Sequence, residues 1–86
     1  MQIEFTPEAK KEFDYWLKTG NKPILARIGL LIESIEKDPY MGVGKPEPLR
    51  HNLAGKWSRR ITQEHRMVYK AEKNTITLYS LKGHYE

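Results

Sequence analysis

Between Gly44 and Tyr69 the chain reads GKPEPLRHNLAGKWSRRITQEHRMVY, which gathers two carboxylates, two histidines and four arginines in 26 residues. From Lys45 to Lys70 seven basic residues accompany only Glu47 and Glu64, whereas the rest of the chain carries eight basic and nine acidic residues. The excess that gives a net charge of +4 is therefore local. A local basic excess is the footprint of a surface that meets phosphate.

Glu47 lies between Pro46 and Pro48. Proline fixes its own φ and drives the residue before it into extended conformations, so this carboxylate leaves a stiff backbone at a set angle. It is the only acid between Asp38 and Glu64, and a carboxylate set among cations is a reasonable base for an alcohol next to a phosphate. His84 follows a strand-like run directly through Gly83; an imidazole that changes charge near neutral pH suits protonation of an alkoxide leaving group. Arginine binds two phosphate oxygens with its planar fork, and tyrosine can stack on a base or hold the phosphate. These ingredients suit RNA cleavage by transesterification, with no metal or cofactor required. No histidine pair has i, i+4 spacing, no carboxylate cluster accompanies the histidines, and there is no cysteine, so a metal site is not expected.

A parity argument bears on the arginines. Two β-like runs, residues 56–62 and 65–71, contain Trp57, Ile61, Met67 and Tyr69, all odd-numbered. Side chains alternate along a strand, and opposed residues share a face. Placing all four toward the core requires an odd-length turn such as Thr62-Gln63-Glu64, with Arg60 opposite Arg66 and Ser58 beside them on the open face. Like charges so opposed are unfavourable unless an anion lies between them. The bland alternative is two solvated arginines on an exposed face, and a one-residue slip undoes the pairing.

The elements around this stretch read as an α+β fold. Gln2–Phe5 alternates as a short strand. Thr6-Pro7-Glu8 is a helix start, followed by the stripe Ala9, Phe13, Trp16, Leu17 and a stop at Gly20. A second helix carries Ile24, Ile28, Leu31, Ile32 and Ile35 and stops at Asp38-Pro39. The tight turn between them predicts an antiparallel pair. Residues 40–55 form a long loop, and a third run, 75–82, follows a turn at Lys73-Asn74. The order is β-α-α-β-β-β, with two N-terminal helices packed on a small, mainly antiparallel sheet.

Eighty-six residues make one domain, which buries only about 60–65% of its unfolded surface, so help from a partner chain or self-association is expected. No run is apolar enough to span a membrane and no signal peptide opens the chain; the cytoplasm is the expected location.

On KPEPL, WSRRI, EHRMVY and the terminal GHYE, the sequence resembles the YoeB/Txe family of bacterial toxins in the RelE-like superfamily. The resemblance implies a RelE-like, microbial-ribonuclease-like fold over residues 1–86. It also implies a ribosome-dependent endoribonuclease that cuts messenger RNA in the decoding site and is neutralised by an antitoxin of the YefM/Axe type. Dimers or toxin–antitoxin hetero-oligomers are expected, the antitoxin complex being able to bind operator DNA. The carried-over roles are Glu47 as general base, His84 as general acid and Arg66 as stabiliser of the transition state. Arg60 would hold the scissile phosphate, and Tyr85 would orient substrate or support His84. Lys45, Arg50, His51 and Arg59 complete the expected RNA-binding set, Arg50 standing where lysine is common. Glu86 extends past the usual histidine–tyrosine ending. Two competing readings are a non-catalytic RNA- or DNA-binding module, for which Glu47 would be dispensable, and a gyrase-directed toxin of the same fold. The latter would not need the Glu47–His84 pair.

Overall fold

The computed structural model describes residues 1–83. The elements are β1 (Gln2–Phe5), α1 (Pro7–Lys18), α2 (Lys22–Lys37), β2 (Glu47–Pro48), a 3-10 turn (His51–Leu53), β3 (Trp57–Arg60), β4 (Arg66–Glu72) and β5 (Thr75–Ser80). The expected order holds, with one addition: β2 emerges from the long loop and makes a fifth strand. The sheet order is β1-β5-β4-β3-β2; only β1 and β5 run parallel.

Both helices start as their sequences dictate. Thr6 Oγ1 accepts from the Ala9 N–H at 3.2 Å, with Pro7 in the first turn. Asn21 Oδ1 accepts from the Ile24 N–H at 3.2 Å. Such caps satisfy amides that have no partner inside the helix. The first helix ends where Gly20 takes φ +66°, and the second where Asp38, ahead of Pro39, turns extended.

The α2 stripe Ile24, Ile28, Leu31 and Ile35 is buried against Met67, Tyr69, Ile76 and Leu78 of β4 and β5. Ala9 and Trp16 supply the α1 share, with Phe13 partly buried. Leu17 departs from expectation and is 51% exposed. At about 100° per residue, Trp16 returns to within about 20° of Ala9, whereas Leu17 lies about 80° away. It reaches past the edge of the buried face.

The β3–β4 hairpin has the register that parity requires: Trp57 opposes Tyr69, Arg59 opposes Met67 and Arg60 opposes Arg66. Between β4 and β5, Val68 pairs with Ser80 and Tyr69 with Leu78, leaving Tyr79 as the extra residue of a bulge. Beyond it the chain turns toward α1: Glu12 Oε1 accepts from the Leu81 N–H at 2.6 Å, and Trp16 Nε1 donates to the Leu81 carbonyl at 2.9 Å. Among the described residues no helix is long and apolar enough to cross a membrane.

Candidate active site

Glu47 owes its position to β2. It pairs with Ser58 while Pro48 pairs with Trp57, and the Leu49 N–H donates to the Lys56 carbonyl at 2.9 Å. Proline lacks the N–H that a central strand would need, but β2 is the sheet edge, where that donor is dispensable. Upstream, the Gly44 carbonyl accepts from the Arg60 N–H at 2.7 Å. Gly44 has φ +88°, and a Cβ there would come within 2.8 Å of Leu31 Cδ2 and 3.2 Å of the Arg60 carbonyl oxygen. Only glycine lets the loop cross α2 and β3 this closely.

Glu47 and Arg66 share the sheet face opposite the helices. Arg66 Nη1 lies 3.5 Å from Glu47 Oε1, with the arginine side chain 19% exposed and the glutamate 59%. They line a pocket of about 500 Å³ with Arg50, His51 and Ser58 on its polar side and Pro48, Leu49 and Leu53 on its apolar side. Ser58 and its cross-strand partner Val68 are buried, so the face is covered at these two positions, while Glu47 and Arg60 on the same face stay exposed. The expected location of Ser58 on an open face is corrected accordingly: the segment from Glu47 to Leu53 folds beside it.

The remaining site residues divide. Arg60 is exposed opposite Arg66, and its carbonyl accepts from Arg27 Nε and Nη2 at 3.4 and 3.3 Å, but its side chain does not line the pocket. Lys45 is exposed at φ +52°, just ahead of β2. His51, at φ +58°, opens the 3-10 turn next to Arg50. His84 and Tyr85, together with Glu86, lie outside the described residues.

Arg59 is a correction. An RNA-binding arginine needs free donors, and this one has none, being fully buried. Nε donates to Tyr69 Oη at 3.0 Å; Nη1 donates to Ser34 Oγ at 2.7 Å and the Val43 carbonyl at 3.0 Å. Nη2 donates to the carbonyls of Asp38 at 2.7 Å and Met41 at 3.0 Å. A guanidinium has five N–H donors, and all are used. The cation sits where α2 ends and helix carbonyls concentrate negative potential. Arg59 organises the 38–43 segment, and burial raises the pKa of its partner Tyr69 above 10.0 despite the opposing pull of the Arg59 hydrogen bond. Tyr69 therefore stays a phenol that donates to the Pro39 carbonyl at 2.6 Å. The parity that turned Trp57 and Ile61 inward also turned Arg59 inward; that was the available signal.

His65 is a residue whose part sequence reasoning missed. Its Nδ1 accepts from the Gly83 N–H at 2.9 Å, while the Gly83 carbonyl accepts from the Arg66 N–H at 2.7 Å. No spacing rule points to this contact, which joins residues 18 apart. Chemically, the pocket offers an exposed carboxylate, a guanidinium beside it, a second arginine and a histidine in its lining, and apolar surface from Pro48, Leu49 and Leu53. That combination can hold a phosphodiester and take a proton from a neighbouring hydroxyl. Among the described residues no group of three or more histidine, cysteine, aspartate or glutamate side chains could hold a metal ion.

Residues 5–85 match the model of the YoeB-like toxin of bacterial type II toxin–antitoxin systems. The chain is 44% identical to a Toxin YoeB of Synechocystis over 86 residues, covering 100% of this chain and 99% of the relative. It is 41% identical to the Toxin YoeB of Escherichia coli K12 over 85 residues, 99% of this chain and 100% of that one. The fold superposes on a YoeB/ParE toxin from Agrobacterium tumefaciens with TM-score 0.94 at 34% identity, covering 99% of this chain and 100% of that one. A YoeB dimer from Staphylococcus aureus gives 0.91 at 40% identity, with 99% and 98% coverage, and a heterotetrameric YoeB–YefM complex from the same organism gives 0.90 at 40%, with the same coverage. The pocket-lining Glu47 and Arg66 thus belong to a chain matched along nearly its whole length, and the chain is a member of the YoeB-like toxins of bacterial type II toxin–antitoxin systems.

Proposed function

We propose that this toxin is a ribosome-dependent messenger-RNA endoribonuclease, with Glu47 as general base, Arg66 and Arg60 as phosphate-binding cations and His84 as general acid. One observation carries the reading: Arg66 reaches Glu47 with its side chain and holds Gly83, the residue before His84, with its backbone amide. A single residue thereby bridges the segments that carry the base and the acid.

In the reaction, Glu47 takes the proton of a ribose 2′-OH and the 2′-oxygen attacks the adjacent phosphorus. The new P–O2′ bond forms as the P–O5′ bond breaks, and His84 protonates the departing 5′-oxygen. The products are a 2′,3′-cyclic phosphate and a 5′-hydroxyl. Charge gathers on the non-bridging oxygens, where the Arg66 guanidinium, freed from Glu47 as the substrate enters, stabilises it. Arg60 holds the same phosphate from the opposed strand position, and Tyr85 orients the substrate. Lys45, Arg50 and His51 contact flanking RNA, while Pro48, Leu49 and Leu53 offer an apolar surface to a nucleobase.

The S. aureus YoeB–YefM complex supports a YefM/Axe-type antitoxin as partner, and the S. aureus dimer supports self-association. Ribosomes and messenger RNA are the targets, in the cytoplasm; the antitoxin complex binds operator DNA. Primer extension on cellular messenger RNA after induction tests the reading. Cuts at fixed codon positions, absent in Glu47→Ala, are expected. Growth arrest with intact messenger RNA would overturn it in favour of a binding-only or gyrase-directed toxin.

A further inference from the structure

We propose that His65 is a positioning residue for the acid-bearing tail, acting through the hydrogen bond that its Nδ1 accepts from the Gly83 N–H. The proposal rests on the cleavage reading above for its catalytic consequence, though not for the contact itself.

His65 is held through both its ring and its backbone. Its ring meets Trp16 edge-on, with centroids 4.9 Å apart and planes at 72°. Its own amide donates to Thr62 Oγ1 at 3.1 Å, and its carbonyl accepts from the amides of Ile61 and Thr62 at 2.9 and 3.1 Å. A backbone N–H can only donate, so Nδ1 must be unprotonated, and in the neutral ring the proton lies on Nε2. Gly83 accepts this arrangement because its φ is +76°; a Cβ there would meet nothing within 4 Å, so backbone conformation rather than space selects glycine.

The two bonds at Gly83 are not equivalent to the anchors before them. Glu12 and Trp16 hold Leu81 on α1, which fixes the exit of β5 but leaves two residues before the tail. The His65 and Arg66 bonds instead hold Gly83 itself, one through its N–H and the other through its carbonyl, beside the pocket arginine. From there, few backbone torsions separate a fixed point from the next side chain. Small losses of placement of a reacting group cost rate steeply, whereas substrate affinity is spread over many cations. The two neighbours thus divide the work: Arg66 faces the phosphate, and His65 fixes Gly83, the residue from which the tail departs.

The test uses the full chain and the variants His65→Leu and His65→Asn, since the asparagine Oδ1 falls near the imidazole Nδ1 and can accept the same bond. By NMR, the wild type is expected to show His65 Nδ1 as the unprotonated nitrogen. Its Gly83 amide should be protected from exchange, with protection lost in His65→Leu, retained in His65→Asn, and unchanged elsewhere in β4 and β5. A wild-type Gly83 amide that exchanges freely would overturn the contact without any variant. On programmed ribosomes, kcat should fall about 10- to 100-fold in His65→Leu with KM within about twofold, and recover in His65→Asn. Wild type that cuts alongside an unimpaired His65→Leu overturns the positioning role alone. Wild type that cuts no RNA overturns the cleavage reading and the catalytic consequence with it, while the exchange data still judge the contact.

Discussion

The Nε–H of Arg59 donates to the phenolic oxygen of Tyr69 at 3.0 Å, and the Tyr69 hydroxyl donates in turn to the Pro39 carbonyl at 2.6 Å. This relay ties β3 and β4 to the segment that follows α2. The same segment leads through Gly44 to Glu47, so a buried cation on the opposite side of the sheet from the pocket supports the backbone that carries the carboxylate. Burying a charge is costly unless every donor is satisfied, and here each one is.

Arg59 and Arg60 are adjacent and should respond oppositely to one conservative change. Arg59→Lys keeps the charge but offers three donors for five acceptors, leaving at least two of the oxygens around this buried cation without a donor, at a cost of about 2 kcal/mol. Arg60→Lys, at an exposed position, should stay within about 0.5 kcal/mol of wild type and lower RNA affinity instead. Urea denaturation of both variants, with a salt titration of RNA binding, checks the contrast.

Tyr69 predicts a stability loss in alkali. Its pKa is raised in the folded protein, chiefly by burial, so the unfolded chain gives up its proton first. Stability from this group is intact below the ordinary tyrosine value near 10 and falls as pH rises from there through the folded-state value. Tyr69→Phe should cost about 1–3 kcal/mol at neutral pH by stranding Arg59 Nε and the Pro39 carbonyl, and should show a shallower decline above about pH 10. Denaturation midpoints at neutral and alkaline pH measure both.

Gly44→Ala should cost about 2–4 kcal/mol, combining an unfavourable positive φ with a Cβ pressed against Leu31 and the Arg60 carbonyl. Because β2 begins three residues later, cleavage should fall beyond what the remaining folded fraction explains. A melting curve paired with an activity measurement at low temperature separates the two effects.

Glu47→Gln should leave stability within about 1 kcal/mol, since the pair with Arg66 is largely solvent-screened on the glutamate side. Cleavage should fall about 10²- to 10⁴-fold, as for loss of a general base. The residual and wild-type products should carry 5′-hydroxyl ends. A 5′-phosphate, detected by ligation without prior kinase treatment, would point to water as the nucleophile and reject the assigned roles.

Much of this was legible in the sequence, and the failures have physical causes. The facing of Arg60 and Arg66 followed from the parity of four bulky residues, because a half-buried hairpin tolerates no slip. At Arg59 charge points outward and parity inward, and parity prevails because three of its five donors meet backbone carbonyls of residues 38–43 whose arrangement no periodicity encodes. β2 was hidden because Pro46 and Pro48 argue against a strand everywhere except at an edge. Glu47 was nonetheless picked out by the stiffness those prolines impose. The His65–Gly83 contact and the β1–β5 pairing depend on tertiary closure, which local pattern does not report.

The pairing of β1 with β5 has a consequence for synthesis. Thr6 reaches the Tyr79 carbonyl 73 positions away, and Gln2 through Phe5 lie alongside Thr75 through Leu78. A nascent chain can form α1 and α2 early, but β1 has no β5 to join and α1 has no Leu81 to grip until translation has passed those positions. Contacts this distant in sequence pay their closure entropy before any return arrives. The strand that completes the sheet also delivers Gly83 to the Arg66 amide, so the residue before His84 reaches its place in the same late step that closes the fold.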